Sequence, residues 1–320
     1  MKLPLAVLAF AVLTLPVHAQ NYPAKVVRGI VPSAPGGSID IVGRLVAQKF
    51  GETMGQQFII ENRAGAAGTI GVTAVAKAPP DGYTLLVASQ SGIAAAPGLI
   101  RNLPYDPLHD LTPIALLVIQ PSVLVVHPSL PARTTKEFIA LAKARPGLLT
   151  YGSSGIGATQ HLSAELFGMM TGTDLRHIPY KGGALAMTDV LGGQIYFMFS
   201  PVPTATPFLS AHKMRAIAVT SMRRVESLPD VPTLNESGVR GYDYSSWIGL
   251  LGPAHLPREI TAKLNAESAH TVAEPAMRKK LLELGLDIPP PGTPEQFSKF
   301  IAQDIALNAK VIKQAKVQPE

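Results

Sequence analysis

Short apolar runs alternate along the chain with stretches whose apolar residues recur every three or four positions. Residues 26–31, 58–60 and 83–88 are apolar runs of strand length. Between the first two runs, the apolar residues from Ile41 to Phe50 follow helical spacing, which predicts an amphipathic helix. Turn residues, mainly Gly, Pro and Asp, separate the runs. Strands that alternate with helices predict an α/β fold, with mixed sheets flanked by helices.

The same pattern predicts where the chain changes domain. An apolar run over residues 114–119 is separated by Pro121 from a second run over residues 123–126. Two strands joined this closely across a proline are expected to carry the chain into a new domain near Ser122. An apolar strand at residues 247–251 is expected to bring the chain back. The predicted domains are domain 1, residues 20–121 with 245–320, and domain 2, residues 122–244.

The second half continues the alternation of strands and helices. Thr134 is followed three residues later by Glu137, which predicts a capping box at the start of a helix. Prolines near the starts of three later segments suit the first turns of helices. The predicted strands are residues 148–151, 175–180, 194–199 and 214–220, and the predicted late helices are residues 257–272, 275–284 and 294–316.

The N-terminal residues have the pattern of a secretory signal peptide. Lys2 precedes an apolar run over residues 3–15 that is too short to span a bilayer. We expect a signal peptide over residues 1–19, cleaved after Ala19. The 320-residue chain contains no cysteine, so a disulfide framework and thiolate metal ligands are excluded. An exported chain without disulfides is expected in the periplasm.

Composition and charge add mainly exclusions. A hydrophobic fraction of 47% with 16% charged residues supports large cores and excludes a disordered chain. The formal net charge is +6, but lysines and arginines are scattered rather than arranged as a basic stripe with aromatics. Nucleic acid is therefore not an expected partner. No metal-ligand spacing such as H-E-x-x-H is present, so neither a metal nor a cofactor is expected.

A turn rich in proline and glycine joins the first predicted strand to the first predicted helix. It covers residues 31–40 (VPSAPGGSID), in which Gly36 and Gly37 let the backbone approach a bound group. The helix that follows presents free N–H groups and its positive dipole end, which suit a carboxylate, sulfate or phosphate. An ordinary βα turn has the same composition, so this stretch alone leaves both interpretations open.

A second turn of the same kind lies at residues 152–161 (GSSGIGATQH), again between a predicted strand and a predicted helix. It offers backbone N–H groups, two serine hydroxyls and a second helix N-terminus. His161 falls in the first turn of that helix, where it either contacts a ligand or caps and packs its own helix. Ser89 and Ser91 follow another strand, where they either face a ligand or cap the next helix.

An enzyme that uses a serine is the rival class. The second turn does not follow G-x-S-x-G, because Ile156 stands where the second glycine would fall after Ser154. No catalytic residue is therefore predicted, and a secreted serine hydrolase is the less favoured alternative.

Several further segments occur in a fixed order over nearly the whole chain after the signal peptide. They are residues 61–65 (ENRAG), 80–85 (PDGYTL), 103–107 (LPYDP), 179–182 (PYKG), 191–194 (LGGQ), 218–221 (AVTS) and 228–233 (LPDVPT). Together with the two turns, this set resembles the Bug family, the extracytoplasmic solute receptors of tripartite tricarboxylate transporters. Three positions depart from the family pattern. Ser33 stands in place of an aromatic residue, Ser200 in place of an acidic or amide residue, and Asn308 in place of a tryptophan.

The resemblance implies a two-domain periplasmic-binding-protein fold of type II, with a mixed β-sheet in each domain, which closes like a clamshell on a small carboxylate. In the family, the second turn grips one carboxylate and the first turn approaches the ligand, partly through bridging waters. Asp40 is expected to anchor water, to contact the ligand or to stabilise its own helix. The expected ligand-binding residues are Gly36, Gly37, Ser38, Asp40, Ser89, Ser91, Ser153, Ser154, Gly155, Gly157, Thr159, His161 and Ser200.

The expected function is that of a monomeric periplasmic receptor. It delivers the carboxylate to the membrane subunits of a tripartite tricarboxylate-type transporter. Alternatively, it presents the carboxylate to a signalling partner. Closure requires hinges, which are expected near residues 121–122 and 244–245.

Overall fold

The computed structural model describes residues 22–65 and 68–317, and the predicted signal peptide lies outside them. Part of the chain forms a five-stranded mixed sheet in the order β2-β1-β3-β10-β4. Strand β1 is parallel to β2 and β3, whereas β10 is antiparallel to β3 and β4. The strands are β1 Val27–Val31, β2 Phe58–Asn62, β3 Thr84–Ser89, β4 Leu111–Gln120 and β10 Ser246–Pro253.

The residues between β4 and β10 form a second five-stranded mixed sheet, in the order β7-β6-β8-β5-β9. Strand β6 is parallel to β7 and β8, and β5 is antiparallel to β8 and β9. Its strands are β5 Ser122–Val126, β6 Thr150–Ser153, β7 Arg176–Pro179, β8 Phe197–Pro201 and β9 Arg215–Val219. Two mixed sheets confirm the predicted fold class, although β6 and β8 lie two to three residues later than predicted.

Helices cover the faces of both sheets, as the alternating pattern predicted. The capping box predicted from Thr134 and Glu137 is present at the start of α4, and Thr293 with Gln296 forms another at the start of α10. Helix α7, which contains Pro207, was not predicted, because a proline in a helix interior disfavours helix. The helices are α1 Ser38–Met54, α2 Thr69–Ala76, α3 Ala96–Leu99, α4 Thr135–Ala144, α5 Thr159–Thr171, α6 Gly183–Leu191, α7 Val202–Ser210, α8 Arg258–Ala273, α9 Pro275–Glu283 and α10 Pro294–Gln314, with a π-helical turn at Ser91–Ala95.

We call the first sheet with α1, α2, α3, α8 and α9 the first lobe, and the second sheet with α4 to α7 the second lobe. Each lobe has apolar clusters on its sheet, with Val42 and Val87 in the first lobe and Phe138 and Phe197 in the second. Helix α10 joins both lobes. Its Phe297 packs with the first lobe, whereas its C-terminal half contributes Val311 and Ile312 to the second-lobe cluster. Across the described ranges, no helix has the length and apolar character needed to cross a membrane.

Pairing register brings the loops of the two lobes to adjoining edges. In the first sheet, Ser89 at the end of β3 pairs with Ile248 near the start of β10. The β10 strand in turn begins with Ser246 opposite Gln120, the last residue of β4. In the second sheet, Ser122 at the start of β5 pairs with Pro201 at the end of β8. Because only Pro121 separates β4 from β5, the carboxyl ends of the parallel strands in both sheets meet at this crossing.

Candidate functional site

The turn between β1 and α1 is shaped by Asp40. Gly36 adopts a positive φ of 84°, and its N–H donates to Asp40 Oδ2 at 2.9 Å. Asn62 at the end of β2 donates to Asp40 Oδ1 at 2.9 Å and to the Ser33 carbonyl at 3.1 Å. Arg44, one helical turn later, completes the set through Nε and Nη2, at 3.1 and 3.0 Å. The Asp40 carboxylate therefore holds its own turn and leaves little capacity for a ligand.

The charge of Asp40 is well compensated within this turn. Burial by itself would raise the pKa of Asp40. The hydrogen bonds outweigh burial, with the one from Arg44 the largest, and the pKa lies below the ordinary value of an aspartate. The carboxylate is thus ionised at neutral pH without opposing an anion at the helix terminus, because Arg44 balances its charge.

Other predicted first-lobe residues lie at the start of α1 and after β3. The Ser38 hydroxyl accepts a hydrogen bond from Gln120 Nε2 at 2.7 Å, which connects α1 to the end of β4 beside the crossing. The Ser89 and Ser91 hydroxyls lie 3.0 Å apart, and neither caps the π-helical turn that follows. The N-cap of α1 is Gly37, which has no side chain to cap the helix.

The turn between β6 and α5 is held together from within. Ser153, which is fully buried, accepts from the Gly155 N–H at 3.1 Å and donates to the Gly155 carbonyl at 2.8 Å. The Ser154 hydroxyl donates to Gln160 Oε1 at 2.8 Å. The Gly157 N–H donates to His161 Nδ1 at 2.9 Å. The N-cap of α5 is Ala158, which provides no capping side chain.

These contacts change the expected role of the glycines. The N–H groups of Gly36, Gly155 and Gly157 were expected to face a ligand, but each already has an intramolecular acceptor. Their positive φ angles of 84°, 137° and 73° give the two turns their shape. Donors for an anion are instead expected from the uncapped first turns of α1 and α5.

His161 lies beneath the second turn, with 5% of its surface exposed. Its ring stacks on His177 of β7 with centroids 3.9 Å apart and planes 9° from parallel. His177 Nε2 lies 2.7 Å from Ser153 Oγ. Burial lowers the pKa of His161 to about 3, with a further contribution from His177, and burial lowers the pKa of His177 to about 4. Both rings are therefore neutral at neutral pH.

The pairing of Ser153 with His177 resembles the start of a hydrolase constellation. A nucleophile must reach its substrate, and Ser153 exposes none of its surface. Its hydroxyl is also engaged with Gly155 on the same loop. The arrangement of Ser153 and His177 therefore fits a structural role better than a catalytic one. Within residues 22–65 and 68–317, no group of three metal-ligating side chains could hold a metal ion.

A hydrogen bond joins the start of α5 in the second lobe to the segment that follows β3 in the first lobe. Thr159, the first residue of α5, donates through its hydroxyl to Gln90 Oε1 at 3.4 Å. Gln90 lies between Ser89 and Ser91 and is 2% exposed. Gly157 also faces the first lobe, since a Cβ on it would lie 2.2 Å from Leu99. The structure thus brings the second turn against the residues that follow β3.

Ser200 lies apart from these groups. It is fully buried near the end of β8, and its hydroxyl donates to the Pro201 carbonyl at 3.2 Å. Sequence reasoning did not identify Gln90, Asn62, Gln120 or His177. The first two carried a weak signal, since Gln90 separates two serines that were singled out and Asn62 ends a strand. His177 carried none, because its partners are distant in sequence.

Comparison with known proteins places the chain in a family. A sequence model described as "Tripartite tricarboxylate transporter family receptor" matches residues 42–317. The protein BugT of Bordetella pertussis (strain Tohama I) is 35% identical over 308 residues, which cover 96% of this chain and 94% of BugT. A protein of Agrobacterium vitis from the TAR-I ttuE-ttuC' intergenic region is 36% identical over 300 residues, which cover 92% of this chain and 86% of that protein.

Solved structures agree with these relatives. The Rpa4515 protein of R. palustris with adipate is 37% identical, with a TM-score of 0.83, and the match covers 93% of this chain and all of that one, 100%. The periplasmic binding protein BugD is 34% identical, with a TM-score of 0.79 and coverage of 93% and 100%. MatC from Rhodopseudomonas palustris with bound malate is 32% identical, with a TM-score of 0.78 and coverage of 91% and 100%. These neighbours are solute-binding proteins of the two-domain type. The chain therefore belongs to the receptor family of the tripartite tricarboxylate transporters, the family that its ordered sequence motifs resemble.

Proposed function

We propose that this receptor captures a small organic dicarboxylate in the periplasm between its two lobes and does not transform it. One observation carries the proposal: α1 and α5, one from each lobe, begin without capping side chains at sheet edges that meet at the crossing. Each helix N-terminus carries a partial positive charge of about half an elementary charge. The two termini together match a ligand with a carboxylate at each end. Rpa4515 with adipate and MatC with malate are relatives that hold such ligands.

The proposed contacts follow from the two helix starts and the residues around them. The first-turn N–H groups of α1 and α5 bind the carboxylates, with hydroxyls from both lobes beside them. Asp40, Ser153 and His161 hold the turns, and Ser200 supports the floor of the cleft near the crossing. The proposed ligand contacts are Gly37, Ser38, Ser89, Ser91, Ser154 and Thr159, with Gly36, Gly155 and Gly157 setting the backbone shape.

Capture requires the lobes to move. We place the hinges at residues 121–122, between β4 and β5, and at residues 244–245, before β10. Residues 20–121 with 245–320 then form one domain and residues 122–244 the other. Closure brings the start of α5 to Gln90, where the Thr159 hydroxyl already forms its contact. Hinges of a few residues that absorb backbone rotation are common in receptors that close around a ligand.

Location and partners extend the same proposal. Removal of residues 1–19 by cleavage after Ala19 releases a monomeric receptor into the periplasm. The loaded receptor then docks with the membrane subunits of a tripartite tricarboxylate-type transporter. Presentation to a signalling partner is the alternative, and a transport assay in cells that lack the receptor distinguishes the two. Loss of dicarboxylate uptake supports delivery, whereas loss of a transcriptional response alone supports signalling.

The decisive experiment places a carboxylate of the protein itself at the N-terminus of α5, where the ligand is proposed to bind. In Ala158→Asp, the new carboxylate accepts from the first-turn N–H groups of α5, where the ligand is proposed to bind. An N-cap residue stabilises a helix by about 0.5–2 kcal/mol. The variant is therefore expected to have a higher Tm than the wild type and to lose binding of adipate and malate in calorimetry.

Thr134→Ala is the matched control, because it removes the cap of α4 in the same lobe. It is expected to lose about 0.5–2 kcal/mol of stability and to bind the ligand unchanged. Binding by Ala158→Asp at wild-type affinity would move the site away from α5. Hydrolysis of esters by the wild type that disappears in Ser153→Ala would instead support an enzyme.

A further inference from the structure

Two histidines from different elements form one buried stack under the second turn. His161 lies on α5 and His177 on β7, and their rings are parallel within 9° at a centroid distance of 3.9 Å. Tyr151 of β6 stacks on His177 at 4.9 Å. Both imidazole rings form hydrogen bonds to residues of the turn at 153–157. The stack therefore acts on the turn rather than on the helix or strand that carries it.

The hydrogen bonds assign the protons of both rings. The Gly157 N–H can only donate, so His161 Nδ1 accepts and carries no proton. The Ser153 hydroxyl has one proton, which the Gly155 carbonyl accepts. His177 Nε2 must then donate to Ser153 Oγ. His161 is thus neutral, with its proton on Nε2. His177 also carries a proton on Nε2, and burial, which lowers its pKa to about 4, leaves it neutral at neutral pH.

We propose that His161 and His177 are positioning residues, which as a neutral stacked pair hold residues 153–157 in the shape that binds the carboxylate. This inference rests on the proposed function in so far as the turn contacts a ligand. One histidine fixes Gly157 and the other fixes Ser153, so the pair holds both ends of the turn. The ligand touches neither ring.

The surroundings of the stack explain why it is uncharged. Two imidazolium rings at 3.9 Å would repel each other, and a proton on His161 Nδ1 would oppose the Gly157 N–H. Burial lowers the pKa of both rings, as described above. The facing ionisable groups are Glu165, with Oε1 at 3.8 Å from His161 Nε2, and Tyr151, whose hydroxyl donates to the same Glu165 oxygen. Burial raises the pKa of Glu165, and the nearby Asp174 raises it further.

The first test compares variants that keep or remove one atom. In His161→Asn the amide oxygen takes the place of Nδ1, and in His177→Gln the amide nitrogen takes the place of Nε2. His161→Leu and His177→Leu remove these atoms. We expect the leucine variants to bind adipate or malate about tenfold or more weakly, as expected for a lost hydrogen bond to a binding element. The amide variants are expected to recover most of the affinity. Equal affinity in all four variants would overturn the proposal.

A second measurement uses the wild-type protein without ligand, so it does not require that any variant folds. Imidazole ¹⁵N NMR of the wild-type protein without ligand is expected to show both rings with protonated Nε2 and unprotonated Nδ1 at pH 6. The Gly157 amide resonance is expected to shift when the stack takes up a proton below pH 5. A charged ring at pH 6, or a proton on Nδ1 of His161, would contradict the inference. Failure of every dicarboxylate to bind would instead contradict the proposed function and leave this NMR result to decide the pairing.

Discussion

At the scale of a residue, Asp40 is an acidic side chain beside the proposed anion site, and neighbouring donors compensate its charge. Its oxygens accept from the Gly36 N–H, from Asn62 and from Arg44. The side chain is 5% exposed, so few positions remain for a ligand. Of the three roles that the sequence left open for Asp40, stabilisation of its own segment is the one for which the structure provides contacts.

Replacement of Asp40 by asparagine removes the charge of the side chain and keeps its shape. The asparagine side chain keeps one accepting oxygen, but its NH2 group can only donate, so either Gly36 or Asn62 loses its acceptor. A buried donor without a partner costs about 1–3 kcal/mol. We expect Asp40→Asn to lower the free energy of unfolding by this amount and to weaken dicarboxylate binding by loosening the turn. Chemical denaturation and calorimetry measure the two effects.

The pH dependence of this variant has a defined sign. The folded-state pKa of Asp40 lies below its unfolded value, so its contribution to stability is present above the unfolded pKa. It is lost as pH falls through the folded pKa. The stability difference between wild type and Asp40→Asn should therefore begin to shrink below about pH 4, the ordinary value of an aspartate, and continue to shrink as pH falls through the lower folded pKa. A stability difference that stays constant down to pH 2 would show that ionisation of Asp40 contributes nothing.

The stacked histidines are neutral in the folded state, whereas Asp40 is ionised, but they too make the fold less stable in acid. Unfolded histidines take up protons near pH 6.5, whereas the folded rings do so near pH 3 and 4. Between these values the unfolded state binds more protons, and each group removes up to about 1.4 kcal/mol per pH unit as pH falls. We expect His161→Asn to flatten the fall in stability between pH 6.5 and 4.5. Urea unfolding of wild type and His161→Asn at several pH values between 6.5 and 4.5 measures this slope.

At the scale of an element, α10 carries a buried polar cluster at the junction of the lobes. Asp304 accepts from Trp247 Nε1 at 2.7 Å, from Gln90 Nε2 at 3.1 Å and from Asn308 Nδ2 at 3.0 Å. Asn308 Oδ1 in turn accepts from the Tyr244 hydroxyl. Burial raises the pKa of Asp304, which these hydrogen bonds oppose, the one from Trp247 most strongly. Asn308, which stands where the resemblance expects a tryptophan, thus has a structural role.

Truncation of Asn308 is expected to destabilise this element. Asn308→Ala leaves the Tyr244 hydroxyl without an acceptor and removes a donor from Asp304. We expect a loss of about 2 kcal/mol in the free energy of unfolding. Lys310→Ala, at an exposed position of the same helix, should change stability by less than about 0.5 kcal/mol. Equal losses of stability in the two variants, measured by urea unfolding, would show that the polar cluster does not stabilise α10.

Elements were predicted best where local chemistry decides them. The capping box at Thr134 and the strands β1, β2 and β3 follow from short-range patterns. Helix α7 was missed because Pro207 costs a backbone hydrogen bond that packing of Val202 and Ala205 offsets. Such an offset depends on tertiary contacts, and no local pattern reports it.

At the scale of the whole molecule, a glycine where the lobes meet allows the proposed closure to be tested. Gly157 adopts a φ of 73° and lies against Leu99, whereas Gly172 at the other end of α5 adopts a φ of 63° with open space around it. Gly157→Ala and Gly172→Ala therefore share the backbone strain of a positive φ, and only the first adds a contact between lobes.

The two alanine variants are expected to separate strain from closure. Both should lose about 1 kcal/mol of stability through backbone strain. Gly157→Ala should lose more, because its Cβ must displace the Leu99 side chain. Only Gly157→Ala should also weaken ligand binding and keep a larger radius of gyration in small-angle X-ray scattering with saturating ligand. If Gly172→Ala weakens binding as much, the effect comes from α5 itself rather than from contact between the lobes.

The sequence alone determined most of the strands and helices, the two glycine-rich turns and the family, because each depends on neighbouring residues or on short motifs. Tertiary structure decided which of the amides in those turns are free, since Gly36 and Gly157 are occupied by side chains that the fold brings to them. It also brought His177 under a turn 24 residues away, beside Ser153. Local propensity sets the backbone of a binding turn, but its available donors depend on contacts made only when the sheet assembles.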